Sequence, residues 1–227
     1  EDFVYQPRSL DKEIAKVRSL PEGPILLLDH ADNCGSGGTQ DVMTVVERVF
    51  RASLEDVIVG AVWDPIAVGK MQEAGVGAEL SLGLGGNTDM PSIGECGRPF
   101  HVSGTVKVLT DGKWIVHGPM YHGVEVDMGP TALLDTGGMA IVVISYHHEP
   151  WDRGIFTSVG IQPEHHHYIL LKSRIHYRAG FADLVRHTVT LDGSGVTTSE
   201  NSKLDYQNLR RPIYPLDSPS WPETSAA

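Results

Sequence analysis

The stretch Ile25-Leu-Leu-Leu-Asp-His-Ala-Asp-Asn-Cys-Gly-Ser-Gly-Gly-Thr-Gln-Asp41 decides the fold class of this chain. An apolar run passes into a polar loop rich in glycine, and an amphipathic run follows at 42–50. Strand, loop and helix in this order are typical of α/β proteins, which place ligand contacts beyond the carboxyl ends of their strands. The loop holds three carboxylates, the amide of Asn33 and three glycines, more than a plain connection needs. It therefore predicts a binding site without identifying the ligand.

The apolar spacing elsewhere predicts two strand–helix units and then a region richer in strands. Val42, Val45, Val46 and Val49 form the stripe of a helix lying on a sheet, with Asp41 as its N-cap. Further predicted strands are 57–63, 79–84, 101–109, 114–117, 131–134, 139–146, 168–172 and 189–191, and further predicted helices are 10–20, 65–74 and 179–187. The Asp-Gly pair at 111–112 predicts that 101–117 is a β-hairpin. The predicted fold is α/β, a mixed sheet with flanking helices and an inserted β-hairpin.

Composition narrows the class of protein. An apolar fraction of 41% and a charged fraction of 21% fit a soluble globular protein, and no apolar run reaches the length of a membrane span. The net charge of −11 argues against binding of nucleic acid, since phosphate contacts require a basic face. Two cysteines are too few for a disulfide framework, so we expect a reduced, cytoplasmic protein.

The opening loop has several candidate ligand contacts. Asp29, Asp32, Asn33 and Asp41 suit a cation, a polar substrate or an internal hydrogen-bond network, and Gly37-Gly38 lets the backbone approach a ligand closely. The alternative is that these polar side chains only cap turns and the following helix. The loop matches neither the dinucleotide fingerprint nor the P-loop.

A cationic segment follows the predicted strand at 168–172. Lys172, Arg174, His176 and Arg178 alternate with other residues, so on an extended segment they would share one face. Such a face could orient a substrate carboxylate or stabilise an oxyanion. It could also form ion pairs with the acidic loop, or be an ordinary charged edge.

Other reactive side chains give weaker signals. The clusters at 165–167 and His147-His148-Glu149 complete no ligand set nearby, so we expect neither to bind a metal. No nucleophile motif is present, although Cys34 in the loop could be a reactive thiol.

The chain resembles the C-terminal domain of the microcystinase C (MlrC) family through five patterns in order. They are Asp29-x-x-Asp-Asn-x-Gly-x-Gly-Gly…Asp41, Gly85-Gly86, Gly160-Ile-x-Pro163, Lys172-Ser-x-x-His-x-Arg-Ala-x-Phe181 and Arg211-Pro-x-x-Pro-Leu-Asp217. Cys34 and Ser36 depart from the family pattern, which has a proline and a further glycine there. The resemblance divides the chain into a helical linker arm at 1–23, an MlrC-type domain at 24–217 and a flexible tail at 218–227.

The resemblance implies part of a zinc-dependent peptidase or amidohydrolase that acts on linearised microcystin or related small peptides. In the family the Zn²⁺ is bound by a preceding catalytic domain, so the expected partners are that N-terminal domain and a small peptide. No catalytic or metal-binding residue is assigned to this chain, which we expect to be inactive alone. The predicted substrate contacts are Asp29, Asp32, Asn33, Gly37, Gly38, Asp41, Lys172, His176 and Arg178.

Two alternatives remain open at this point. The domain could be a non-catalytic module for ligand binding or for homodimerisation. It could also be an independent small-molecule enzyme that uses Cys34.

Overall fold

The computed structural model describes residues 4–217, and the predicted tail at 218–227 lies outside them. The helices are α1 (Leu10–Val17), α2 (Thr44–Arg51), α3 (Pro65–Ala74), α4 (Gly154–Thr157) and α5 (Arg178–Phe181). The strands are β1 (Ile25–Asp29), β2 (Val57–Trp63), β3 (Glu79–Leu84), β4 (Phe100–Thr110), β5 (Lys113–Ile115), β6 (Glu125–Asp127), β7 (Thr131–Asp135), β8 (Met139–Ile144), β9 (Tyr168–Leu171) and β10 (His187–Leu191).

Eight of the strands form one mixed sheet in the order β10-β1-β9-β2-β8-β7-β4-β3. The first five of these run parallel, whereas β7, β4 and β3 continue the sheet by antiparallel pairing. Strands β5 and β6 form a separate antiparallel pair. The predicted α/β class with a mixed sheet, flanking helices and an inserted hairpin is therefore confirmed.

Apolar side chains fill both faces of the sheet. In β1, Ile25 and Leu27 belong to one core together with α1, α2 and α3, while Leu26 and Leu28 belong to the core with α4, α5 and the small hairpin. Successive side chains of a strand point to opposite faces, which explains why β1 is apolar throughout. This burial on both sides rigidly supports the loops that leave the ends of the parallel strands.

The hairpin is built from different strands than predicted. The 101–109 strand, β4, pairs with β3 and β7 rather than with the strand after Asp111-Gly112. That strand, β5, pairs instead with β6, and the connection at 116–124 closes this smaller hairpin. Asp111-Gly112 therefore connects β4 to β5 without forming a hairpin turn, because the main sheet holds the long β4 on both of its edges.

Two predicted helix positions also need correction. Helix α2 begins at Thr44, and the Asp41 side chain caps no helix because it binds backbone N–H groups of another loop. The predicted helix at 179–187 is the short α5, and His187 already belongs to β10. At both places, contacts with other parts of the fold determine the structure in place of the local apolar pattern.

The arm before β1 packs on the domain. Ile14 and Val17 of α1 are buried in the core of α2 and α3, and Arg8 donates its backbone N–H to Asp192 at 2.6 Å. The assignment of 1–23 as a linker stays a prediction. No helix within residues 4–217 is long and apolar enough to cross a membrane, and a cytoplasmic location likewise stays a prediction.

Candidate functional site

The loops after β1, β8 and β9 meet at one edge of the sheet, which we call the carboxyl edge. Strand β9 pairs in parallel with both β1 and β2, and β2 pairs with β8. Parallel strands end together, so the segments starting at His30, Ser145 and Lys172 emerge side by side. In open α/β sheets this edge is where ligands bind.

Lys172 joins the acidic loop to the cationic segment inside the protein. Its ammonium group donates to Asp29 Oδ2 and to Asp32 Oδ2, each at 2.9 Å, and to the carbonyl of Val42. All three charged side chains are fully or almost fully buried. We call this group the buried clasp.

The electrostatics of the buried clasp favour its charged form. Burial alone would lower the Lys172 pKa, but the attraction of Asp29 and Asp32 raises it above the ordinary lysine value. Burial raises the pKa of Asp29 to about 6, and the opposing attraction of Lys172 limits the rise. The carboxylate of Asp29 is therefore ionised at neutral pH, and the lysine compensates its charge.

Asp32 also organises the backbone of the acidic loop. It accepts hydrogen bonds from the backbone N–H groups of Gln40 at 2.8 Å and Val42 at 2.9 Å and from the Thr39 hydroxyl at 3.0 Å. A carboxylate that accepts several such bonds fixes the loop around itself. Asp32 thus holds the loop closed from within.

Asp41 does not cap a helix but binds the glycine-containing turn at residues 85–88. Its Oδ2 accepts the backbone N–H groups of Asn87 at 2.8 Å and Thr88 at 3.0 Å, and its carbonyl accepts that of Gly86. Gly86 has a φ of +61°, and a Cβ there would lie 2.1 Å from the carbonyl oxygen of Arg98. This explains why the Gly85-Gly86 pattern and Asp41 occur together.

Gln40 ties the acidic loop to the loop after β8. Its side-chain amide donates to the carbonyl of His148 at 2.6 Å and accepts the His148 backbone N–H at 3.2 Å. Gln40 is fully buried and has a φ of +60°, which is unusual for a residue other than glycine. These two hydrogen bonds fix the position of the residue that follows His148.

That residue, Glu149, links the loops after β8 and β9. Its Oε1 accepts the Ser173 hydroxyl at 3.0 Å, and its Oε2 lies 2.8 Å from His176 Nδ1. The Glu149 side chain is 4% exposed, whereas that of His176 is 50% exposed. We call Glu149 and His176 the rim pair, since the imidazole reaches from a buried carboxylate to the surface.

Gly35 leaves the space that the rim pair needs. A Cβ at this position would lie 1.9 Å from Glu149 Oε2, the oxygen that faces His176. The glycine loop therefore packs its backbone directly against the carboxylate.

A cavity of about 470 Å³ opens beside the rim pair. Its lining residues come from the β5–β6 hairpin, the loop after β8 and the cationic segment: Met120, Tyr121, Val124, Glu125, Val126, Asp127, His148, Glu149, Trp151 and His176. In this cavity apolar side chains and titratable groups share one concave surface, as they usually do in ligand sites.

The structure separates the predicted contacts into three groups. Asp29, Asp32, Asn33, Asp41 and Lys172 are buried and held by protein groups, and Gly38 packs on the backbone of the acidic loop. Gly37 and His176 are exposed at the carboxyl edge, whereas Arg178 is exposed beside the ring of Tyr177. Their role in substrate binding stays a prediction.

The cationic segment is not extended, so its charged residues do not share a face. Lys172 points inward, while Arg174 contacts the carbonyl of Thr197 and the hydroxyl of Ser199. His176 pairs with Glu149, and Arg178 begins α5. The turns that follow β9 send alternate side chains in different directions.

Sequence reasoning assigned no site role to Gln40 or Ser173, and it considered Glu149 only as a metal ligand beside His147 and His148. Glu149 follows the parallel strand β8 just as the acidic loop follows β1, so the rule about strand ends could have found it. Ser173 belongs to one of the five family patterns, but the roles of Gln40 and Ser173 depend on partners distant in the chain.

Cys34 does not have the setting of a reactive thiol. Burial raises its pKa to about 12, and the nearby carboxylates of Glu149 and Asp32 add to the rise. The thiolate is the nucleophile, so this thiol is protonated and inert at neutral pH. In the described part of the chain, no three His, Cys, Asp or Glu side chains cluster in a way that could hold a metal ion.

The comparisons identify the family. The model of the family described as MlrC C-terminus matches residues 27–208, and the chain belongs to this family. Microcystinase C from Sphingomonas sp is 28% identical over 211 residues, which cover 92% of this chain and 39% of that protein. A crystal structure of a candidate metallopeptidase from Mesorhizobium sp. BNC1 matches with a TM-score of 0.78 and 26% identity, covering 96% of this chain and 42% of that one.

The chain thus spans about two fifths of the length of these relatives. The resemblance predicted from the five patterns is confirmed by the family match.

Proposed function

We propose that this chain forms the C-terminal domain of a metal-dependent peptidase or amidohydrolase that acts on small peptides, with linearised microcystin as one candidate substrate. The family match and the names of the two relatives support this reaction class. The observation that carries the proposal is the rim pair, in which a buried carboxylate holds a half-exposed imidazole at the mouth of a cavity.

The rim pair has the geometry of a group that handles a proton or binds a polarised carbonyl. Glu149 faces Nδ1 of His176, so the imidazole orientation is fixed and Nε2 is left for a substrate. Carboxylate–histidine pairs serve general acid–base catalysis and stabilise developing charge. His176 is therefore the residue of this chain that we expect to touch the scissile amide.

Zinc is the metal that the family resemblance implies, and the residues described at 4–217 do not fit it as a complete ligand set. We therefore derive no step through the metal from this chain. Its own contribution is to bind and orient the peptide and to exclude water from the region between the hairpin and the loop after β9.

The buried clasp supports this site indirectly. It fixes the loop that contains Gly35, and Gly35 in turn contacts Glu149. Asp29, Asp32 and Lys172 are therefore positioning residues, whereas the exposed Gly37 remains available to approach a substrate with its backbone.

Steady-state kinetics of the metal-loaded full-length protein on a linear peptide test the proposal. His176→Gln should lower kcat/KM by roughly 100-fold or more, the usual contribution of a proton-transfer group, without changing the free energy of unfolding. Arg186→Gln is the matched control, since it removes an exposed charge outside both the rim pair and the cavity, and it should leave kcat/KM within about twofold.

A loss of less than about threefold for His176→Gln would overturn the assigned role. If the domain is a non-catalytic binding module, His176→Gln should leave kcat unchanged and alter only the affinity for the peptide.

A further inference from the structure

The β5–β6 hairpin exposes apolar and aromatic side chains around the cavity. Tyr121 is 58% exposed and Val124 is 50% exposed, although both line the cavity. The Tyr121 and Trp151 rings meet edge to face with centroids 5.6 Å apart, and the Trp151 ring lies 4.4 Å from that of His148. These rings form a continuous aromatic wall on one side of the cavity.

His148 is a buried residue beside the cavity, and its Nε2 has no partner in the described structure. The residue is 6% exposed, and its Nε2 is buried and makes no hydrogen bond to any group within residues 4–217. The backbone N–H and carbonyl of His148 both bond to the Gln40 side chain. These bonds position the residue but give its ring nitrogen no partner.

The charged residues that line the cavity determine which sign of charge a ligand can carry there. Three carboxylates line the cavity, from Glu125, Asp127 and Glu149, and no lysine or arginine is among the described lining residues. Burial lowers the pKa of His148 to about 4, so this ring adds no positive charge at neutral pH. An anionic group would be repelled here, whereas a cation would be attracted both by the carboxylates and by the aromatic faces.

We propose that this cavity binds the cationic side chain of a peptide, an arginine or a lysine, with its aliphatic stem on the apolar hairpin side chains and its charged head between the aromatic wall and Glu125. The inference rests on the proposed peptidase function and adds a preference at one position of the substrate. Met120, Val124 and Val126 contact the stem in this arrangement. The charged head meets the faces of the Tyr121 and Trp151 rings.

Binding of small probes to the full chain tests the preference without any turnover. The probes are N-acetyl-arginine methylamide, the citrulline analogue, which has nearly the same shape without the charge, and the glutamate analogue. Calorimetry or tryptophan fluorescence should show that the arginine probe binds at least about fivefold more tightly than the citrulline probe. The glutamate probe should bind weakest, and added salt should reduce the difference between the probes.

Two substitutions with a matched control locate the site. Glu125→Gln and Tyr121→Leu should each weaken binding of the arginine probe by roughly three- to tenfold, because each removes one attraction for the cation. Both side chains are exposed, so folding should be unaffected. Glu164→Gln removes an exposed carboxylate outside the cavity and should leave binding unchanged.

Equal binding of the arginine and citrulline probes would overturn the inference, and so would arginine binding that neither cavity substitution weakens. Either result leaves the proposed peptidase function standing, since that function depends on His176. Loss of activity in His176→Gln, together with equal binding of the charged and uncharged probes, would therefore support the peptidase function and reject the preference for a cationic side chain.

Discussion

The buried clasp and the rim pair lie only a few residues apart in the chain, yet they use charge in opposite ways. Lys172 is sealed between two aspartates with no exposed surface, whereas His176 has one carboxylate partner and is half exposed. A buried ion pair is costly to break but has no access to a ligand. An exposed imidazole contributes little to folding but can meet a substrate. The contrast teaches that a charged segment at a strand end can hold both structural and functional groups.

The largest expected effect is that of breaking the buried clasp. Lys172→Met should lower the free energy of unfolding by about 3–5 kcal/mol, because two buried carboxylates lose their compensating charge. Urea denaturation measures the loss. Arg178→Ala, at the exposed end of the same segment, should stay within about 0.5 kcal/mol of the wild type. Equal losses for the two variants would erase the proposed difference between buried and exposed charges.

The next effect is a change in how stability depends on pH. Burial depresses the folded pKa of His148 from 6.5 to about 4, so unfolding takes up a proton between these values. This contribution to stability is present above 6.5 and is lost as pH falls towards 4. His148→Gln should therefore remove on the order of 3 kcal/mol from the pH-dependent part of the free energy of unfolding.

Denaturation series across this pH window provide the measurement. His30 and His147 have pKa values lowered in the same direction by burial, while the raised pKa of Asp29 opposes them. The variant should thus keep a shallower slope of the same sign where the remaining histidines dominate. A slope identical to that of the wild type would show that His148 is not desolvated.

A smaller effect is expected where the glycine loop meets the rim pair. Gly35→Ala should cost about 1–3 kcal/mol, because the new methyl group would overlap Glu149 Oε2 and displace it from His176. Gly69→Ala in α3 is the matched control, since its Cβ would meet no atom within 4 Å and should stabilise the helix by about 0.4–1 kcal/mol. Thermal denaturation of both variants gives the comparison, and a neutral Gly35→Ala would show that the loop can move away.

The smallest effect on the protein is expected from its cysteines. A thiol reagent at neutral pH should modify the exposed Cys96 quickly and Cys34 slowly, because the Cys34 pKa is raised to about 12. Single Cys34→Ser and Cys96→Ser variants assign the two rates. Rapid labelling of Cys34 would revive the hypothesis of a cysteine-dependent enzyme.

The fold was largely predictable because its signals are local. The apolar run before Asp29, the stripe of α2 and the Asp64-Pro65 start of α3 each need only neighbouring residues, and Asp64 does accept the Ala67 N–H as an N-cap. The pairing of β5 with β6 was not predictable from the Asp-Gly turn, since it depends on which strands compete for the edges of β4.

The site was predictable only in part. An ion pair between the acidic loop and the cationic segment was one of the alternatives left open, and Lys172 does bind Asp29 and Asp32. Which charges would be buried could not be read from alternation, because the chain turns after Leu171. The place of Glu149 after β8 could be read from the sequence, but its partners Ser173 and His176 are brought to it only by folding.

A double-mutant cycle between Asp29 and Lys172 tests most directly whether the loop and the segment clasp each other inside the protein. The free energy of unfolding is measured for Asp29→Asn, Lys172→Met, the double variant and the wild type at neutral pH. A direct buried pair predicts that the double variant loses less than the sum of the single losses by at least about 1.5 kcal/mol. Additive losses within about 0.5 kcal/mol would contradict the clasp.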